Sequence, residues 1–269
     1  MLKPVDSQLP DASIARSPDQ LVTYSIVIPA YNESVRIRPT LHALVRHMQE
    51  QNWDGEILVV NDGSSDDTAQ IVCEYGKLHP QVLLVENPGN RGKGYSVRNG
   101  MLHARGEICL FTDADLSSPI TEAQKLFDAI ARGSDIAIGS RWLRTELQTE
   151  RQPLYRQLYG RIFNLALRLI LGLHFADTQC GFKAFRLDAA QRVFALQKTE
   201  RWAFDPEILF LAQRAGLKVA EVPVLWAHSE GTRLHPLRDG MRMLWEVLRT
   251  RWNAITGGYA GVVPEPGKL

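Results

Sequence analysis

The sequence predicts an α/β protein built on a mainly parallel, Rossmann-like sheet flanked by helices. Three observations carry that expectation. Apolar runs of strand length recur at residues 24–29, 56–60, 82–85, 107–111 and 135–139. Segments with helical apolar spacing separate them, as right-handed crossovers between parallel strands require. Polar residues follow the runs in turn: Asn32 and Glu33, Asp62, Lys93, then Asp113 and Asp115. They would line the carboxyl edge of the sheet, where open α/β folds bind ligands.

Taken in order, residues 1–22 read as a flexible tail, polar and punctuated by Pro4, Pro10 and Pro18, without the apolar core of a signal peptide. The run 24–29 is the first strand, ended by Pro29. A helix over 39–51 follows, then a buried strand at 56–60, a helix over 67–78 and a third strand at 82–85. A glycine-rich loop, 87–94, leads into a helix ending at Ala104. The strand 107–111 and a helix from Pro119 to Ala131 come next, then the strand 135–139. Residues 141–153 are highly charged and read as a mobile loop. Residues 154–173 form a helix with Arg161, Asn164 and Arg168 in one polar stripe. Residues 177–185 suggest a strand or hairpin, 204–215 a helix and 219–224 a strand. The last helix, 237–252, sets Arg238, Arg242, Glu246 and Arg249 against Met241, Leu244, Trp245, Leu248 and Trp252. The main domain therefore covers 23–235, with an amphipathic helix and tail over 236–269.

Composition narrows the class. The chain has 269 residues, 45% hydrophobic and 23% charged, ordinary for a protein with a sizeable core. A net charge of +1 provides no global field for nucleic acid. Cys73, Cys109 and Cys180 are widely spaced, which favours reduced thiols in a cytoplasmic setting. No run reaches the ~18–20 apolar residues a membrane span needs, so membrane contact is expected to be peripheral, on the cytoplasmic face.

Two carboxylates one residue apart, Asp113 and Asp115, close the strand 107–111. Their repulsion is a cost that a divalent cation removes. Hard oxygen ligands suit Mg²⁺ or Mn²⁺, with a substrate's phosphates completing the shell. The plainer reading makes Asp115 a helix cap. Asp62, within Asn61-Asp62-Gly63-Ser64, suits either a turn or a nucleoside contact. The loop Asn90-Arg91-Gly92-Lys93-Gly94 opens a helix with two cations, a phosphate-attracting arrangement, though it lacks the spacing of a P-loop or a dinucleotide fingerprint. Arg141 closes the strand 135–139 as a candidate phosphate ligand. His228 is a candidate metal ligand and Arg233 a candidate phosphate clamp beside Gly231.

Ile28-Pro29-Ala30-Tyr31-Asn32-Glu33, Val60-Asn61-Asp62-Gly63-Ser64, Asp113-Ala114-Asp115 and Gly139-Ser140-Arg141 resemble the inverting nucleotide-sugar glycosyltransferases of family 2. Asn90–Gly94, Asp177-Thr178-Gln179-Cys180-Gly181-Phe182-Lys183, Arg201-Trp202-Ala203-Phe204-Asp205 and Glu221-Val222-Pro223-Val224 look like the dolichyl-phosphate β-glucosyltransferases among the polyprenyl-phosphate glycosyltransferases. The resemblance implies a GT-A fold, a UDP-sugar donor, a polyprenyl-phosphate acceptor and Mg²⁺ or Mn²⁺. By it, Pro29, Tyr31, Glu33 and Asp62 cradle the nucleoside; the loop's own cations and helix start set Lys93 near the sugar diphosphate. Asp113 and Asp115 face the donor and Asp115 holds the metal; Asp113 and, from its place after the strand 219–224, His228 are further candidate ligands. Arg141 and the segment from Gln179 to Lys183 shape the sugar and acceptor-phosphate site, where Arg233 is the further candidate phosphate clamp named above. The sequence departs from these relatives at Asn61, often aspartate there, at Arg233, lysine there, and in the polar tail where eukaryotic relatives carry a membrane helix.

The expected reaction is in-line displacement at the anomeric carbon, inverting α to β. A phosphate monoester is already anionic near neutral pH, with a second pKa of about 6, and needs no strong base. Asp205 is the candidate base for a hydroxyl acceptor and otherwise a positioning group. The alternatives are a GDP-mannose donor, a soluble transferase to a sugar hydroxyl, and a non-catalytic nucleotide-sugar or lipid-binding module.

Overall fold

Strict alternation along the strands creates two cores, one on each face of the sheet. The computed structural model describes residues 22–144, 146, 154–227 and 236–259. Its elements run β1 (Tyr24–Ala30), α1 (Ile37–Glu50), β2 (Gly55–Asn61), α2 (Thr68–Leu78), β3 (Val82–Glu86), α3 (Lys93–His103), β4 (Ile108–Phe111), α4 (Ala123–Ala131), β5 (Ile136–Ser140), α5 (Leu154–Leu171), β6 (Lys183–Arg186), α6 (Leu187–Leu196), α7 (Phe204–Arg214), β7 (Val219–Pro223) and α8 (Pro236–Ile255). The sheet order is β3-β2-β1-β4-β6-β5-β7. Its ladders are parallel except at β6, which runs against both β4 and β5.

Ile26, Ile28, Ile57, Val59 and Leu110 enter one core, with Leu41 and Leu44 of α1, Val72 of α2 and Leu126 of α4. Val27, Leu58, Val60, Cys109 and Phe111 enter the other, with Val97, Leu167, Phe194, Leu209 and Val247 from α3, α5, α6, α7 and α8. Burying each such side chain contributes about 1.5–3 kcal/mol. A slip of one residue would exchange the two sets, so the alternation fixes the register.

The strand expected to end at Pro29 continues to Ala30, with Pro29 opposite Val60. The Val27 carbonyl accepts from Thr112 on the β4 side and the Ala30 carbonyl accepts from Asp62 on the β2 side. Pro29 therefore faces the β4 side, where the ladder has already ended at Val27–Phe111. Its missing N–H removes no ladder bond there.

Two further differences stand out. Helix α6 was not expected. It follows β6 without an intervening residue, so no turn signal marks it. The polar stripe of α5 does not simply face solvent. Asn164 is buried and holds the segment before β6: its Nδ2 donates to the Ala176 carbonyl at 2.6 Å, and its Oδ1 accepts from the Thr178 hydroxyl at 2.6 Å.

Candidate active site

The site is assembled at the rim where β1, β2, β4 and β5 end. The loops after β1 and β2 are joined by backbone-to-side-chain bonds. Asn32 N–H donates to Ser64 Oγ at 2.9 Å, Glu33 N–H to Thr68 Oγ1 at 2.8 Å, and Ser34 N–H to Asp66 Oδ2 at 3.1 Å. Asn32 adopts the left-handed conformation, φ 53°, which asparagine tolerates better than most residues. The Glu33 side chain pairs with Arg36 at 3.3 Å, and Tyr31 is exposed beside it.

Asp62 is buried at the end of β2. Its Oδ1 accepts from Asn87 Nδ2 at 2.8 Å and Arg91 N–H at 2.9 Å, and its Oδ2 from Gly92 N–H at 2.8 Å. As placed, the carboxylate organises the loop that carries Lys93. That loop lies so close to residues 199–204 that glycine is required. A Cβ at Gly92, where φ is 110°, would meet the Glu200 carbonyl at 2.6 Å; one at Gly94 would meet the Thr199 and Arg201 carbonyls at 2.7 Å.

Lys93, the first residue of α3, pairs with Asp113 at 2.5 Å, and its ammonium lies 5.4 Å from the centre of the Trp202 ring. Burial works against its charge, but Asp113, Asp205 and Asp115 together push its pKa up. Gly181 leaves room for Asp113: a Cβ there would come within 2.9 Å of the carboxylate carbon. Asp115 folds back locally, its Oδ1 accepting from Ser117 N–H at 3.0 Å and Ser117 Oγ at 2.9 Å. Among the described residues, its other oxygen accepts no hydrogen bond.

Beneath these groups lies a buried ion pair. Lys183 enters β6 opposite Phe111 and is fully buried. Its ammonium pairs with Asp205, at the start of α7, and donates to the Cys180 carbonyl at 2.5 Å. The Phe111 ring lies 5.4 Å from it. Burial pushes the Asp205 carboxyl up, against the pull of Lys183 and Lys93. Lys183 thus does not line the open site as expected. It is enclosed with its partner Asp205, which is also buried.

Arg141 is also held tightly. Its Nε and Nη2 reach Asp177 at 2.7 and 2.8 Å in a two-pronged pair, and its N–H donates to the same carboxylate at 3.0 Å. Burial opposes both charges, yet each partner favours the other: the Arg141 pKa rises and that of Asp177 falls. Trp142 and Trp226 lie 5.8 and 5.6 Å from the guanidinium. Glu221 of β7 anchors the Asp177 backbone at 2.7 Å. Gln179 is half-buried and donates its N–H to Asp177 Oδ1 at 3.1 Å.

Asp113, Asp115, Lys93, Lys183 and Asp205 are therefore brought into one group, and Arg141 into a second pair with Asp177. His228 and Arg233 lie outside the described residues. Sequence reasoning did not single out Glu200, which pairs with Arg91 at 2.5 Å, or Glu207, which is fully buried. The one signal was the acidic spacing of Asp205 and Glu207 at the start of a helix.

The donor chemistry fits a divalent cation. Two carboxylate-bearing residues stand on one loop, one half-occupied by Ser117 and one paired with Lys93. Mg²⁺ is commonly held by one or two carboxylates plus substrate phosphates. No group of three or more His, Cys, Asp or Glu side chains with metal-binding geometry occurs among the described residues, so the remaining ligands would come from the substrate or from outside them.

Comparison with known proteins places this geometry in context. The family model described as Glycosyl transferase family 2 matches residues 25–194. A dolichyl-phosphate beta-glucosyltransferase of Trichomonas vaginalis is 43% identical over 222 residues, covering 78% of this chain and 65% of that protein. Proteins of the same name from Dictyostelium discoideum and Saccharomyces cerevisiae are 33% and 36% identical, covering 93% and 90% of this chain and 80% and 78% of their own. Among solved structures, glucosyl-3-phosphoglycerate synthase from Mycobacterium tuberculosis, in complex with Mn²⁺, UDP and glucosyl-3-phosphoglycerate, aligns with a TM-score of 0.62 at 21% identity, covering 91% of this chain and 82% of that one. Mannosyl-3-phosphoglycerate synthase from Rubrobacter xylanophilus aligns with a TM-score of 0.64 at 20% identity, covering 92% and 79%. Both have the GT-A fold.

Proposed function

Because the chain belongs to glycosyl transferase family 2, we propose that it moves a glucosyl group from UDP-glucose to a dolichyl-type polyprenyl phosphate, with inversion at the anomeric carbon. The observation that carries this reading is the rim itself. Asp113 clamped by Lys93 and Asp115 with an open oxygen stand at the end of β4, in a chain 33–43% identical to three dolichyl-phosphate beta-glucosyltransferases.

The new bond joins an acceptor phosphate oxygen to the anomeric carbon. The bond from that carbon to the donor diphosphate breaks, and UDP leaves with the electron pair. No proton has to move, because the attacking phosphate is already ionised. Asp115, with Asp113, would hold Mg²⁺ or Mn²⁺, which when bound offsets negative charge on the departing diphosphate. Lys93 keeps Asp113 oriented and adds a positive charge at the same place. Pro29, Tyr31, Glu33 and Asp62 stand along the rim where the nucleoside would lie. Arg141 and Gln179 stand on the acceptor side. Asp205, buried and paired with Lys183, positions the start of α7 rather than removing a proton.

A lipid acceptor calls for a lipid-facing surface, and α8 offers one. Met241, Trp245, Leu248, Trp252 and Ile255 recur at intervals of four and three residues and are 46–70% exposed. Leu165 and Leu169 of the neighbouring α5 are 51% and 74% exposed. Exposed Arg242, Arg249 and Arg251 accompany the stripe. Tryptophan beside arginine suits the boundary between acyl chains and anionic headgroups. No helix among the described residues is long and apolar enough to cross a membrane, so the contact proposed is peripheral.

The test is incubation with UDP-[¹⁴C]glucose, polyprenyl phosphate and Mg²⁺, followed by organic extraction. Label should enter the organic phase and disappear with a chelator. Organic label from GDP-mannose alone would reassign the donor. Label transferred only to soluble sugars would overturn the lipid acceptor.

A further inference from the structure

Glu207 lies two residues beyond Asp205 on α7, is fully buried, and plays no part in the chemistry above. Among the described residues no cation pairs with it. Its charge is met instead by hydrogen bonds. Oε1 accepts from Lys198 N–H at 3.0 Å and from the Tyr259 hydroxyl at 2.5 Å, and Oε2 accepts from Thr199 N–H at 2.8 Å. A buried carboxylate is costly unless its oxygens are satisfied, so these donors are held firmly in place.

The donors come from two distant parts of the chain. Tyr259 closes the turn after α8, where Gly257 takes the left-handed conformation at φ 77° and Gly258 N–H donates back to the Asn253 carbonyl at 2.7 Å. The tyrosine is buried, and burial together with Glu207 pushes its pKa up. Lys198 adds a second tie, donating to the Gly258 carbonyl at 2.5 Å while lying 4.9 Å from the Tyr259 ring centre.

Lys198 and Thr199 begin the segment that packs on the Lys93 loop. Gln197 Nε2 bridges the Thr199 carbonyl at 2.7 Å and the Gly94 carbonyl at 2.9 Å. Tyr95 N–H donates to the Glu200 carbonyl at 2.9 Å, and Glu200 pairs with Arg91. Trp202 then covers the Lys93 ammonium. Every link from Tyr259 to Asp113 is thus a direct contact, through Glu207, residues 197–202 and Lys93.

We propose that Tyr259 is a positioning residue. By filling Glu207 Oε1 it fixes residues 197–202, and through them it holds Lys93 and Trp202 against Asp113, so that turnover depends on a hydroxyl that touches no substrate. The turnover part of this rests on the transferase reading above; the structural part does not.

The test compares the full chain with Tyr259→Phe by transfer kinetics and by backbone hydrogen exchange. The variant should turn over about tenfold more slowly per folded molecule, with the UDP-glucose KM within twofold. Exchange should speed up at least fivefold in both 197–202 and 92–96, while α1 and β2 stay unchanged. Lys198→Met, at an exposed position, should give a smaller change of the same pattern and serves if Tyr259→Phe does not fold. Faster exchange confined to α8 and residues 198–199, or turnover within twofold of the parent, would overturn the proposal. If the parent transfers no sugar from any donor, the transferase reading fails, and exchange at 92–96 alone decides whether the positioning link exists.

Discussion

Asp205 shows how far one residue's role follows from its surroundings. The sequence places a carboxylate next to the start of a helix, which suits a base or an anchor equally. The structure pairs it with a lysine that is itself fully buried, and that pairing could not be read from spacing, because residues 183 and 205 meet through the tertiary fold. Asp205→Asn should lower transfer by about 10-fold to 30-fold, in the range of lost positioning rather than lost chemistry, with UDP·Mn²⁺ affinity little changed by calorimetry. A loss of about 10²-fold to 10⁴-fold with binding intact would instead indicate a base, given the size of general base effects. Asp66 permits a sharper test. Burial alone would raise its pKa, but hydrogen bonds from Thr68 and Ser34 outweigh it and lower the value from 3.8 to about 2. A carboxyl depressed on folding stabilises the protein above its ordinary pKa, and that contribution is lost as pH falls through the folded value. The stability difference between the parent and Asp66→Asn, measured by urea unfolding, should therefore be flat from pH 5 to 8 by that linkage, shrink from ~4 downward and vanish below about 2. Asp113, Asp115 and Lys93 were legible because each stands at the end or start of a recognisable element. The partners of Asp62 and Arg141 were not legible, since each is met across the chain by residues 25 to 36 positions away.

Among elements, β1 to β5 were readable because continuous apolar runs alternate with helical segments. β6 was harder. Its four residues carry a cation at each end, Lys183 and Arg186, so no continuous apolar run marks it, and α6 begins at the next residue without a breaker. The segment leading into β6 matters more than its length suggests, because Gly181 backs directly onto Asp113. Gly181→Ala is expected to cut transfer at least tenfold by displacing that carboxylate, while the thermal midpoint falls by no more than about 4 °C, the shift of ~1 kcal/mol in a chain of this size. A variant with parental turnover would show that Asp113 has room to move without consequence.

For the molecule as a whole, both cores and the gathering of polar loops at one rim followed from the alternation of strands and helices. The direction α8 faces did not. The helix is amphipathic in sequence, which ordinarily means an apolar face turned inward. Met243 and Val247 do turn inward, while the stripe from Met241 to Ile255 remains outside. Sequence alone could not tell which apolar set the core would take. Trp245→Ala combined with Trp252→Ala should reduce flotation with anionic vesicles at least fivefold and leave UDP binding intact. Concentration-dependent dimers in place of vesicle binding, lost in the same double variant, would assign the stripe to a second copy of the chain.

The reversed strand between β4 and β5 has a consequence for how this rim can change. Its neighbours deliver side chains to the rim as they leave the sheet, whereas β6 places Lys183 beneath the rim as it arrives, opposite Phe111. The length of chain between Asp177 and Lys183 is therefore a gauge. Removing one residue there would present Lys183 to the α1–α4 side and leave Asp205 facing an aliphatic neighbour. An insertion behind the exit of a parallel strand lengthens a loop, whereas one before this arrival would shift the side chains of β6 to the opposite faces.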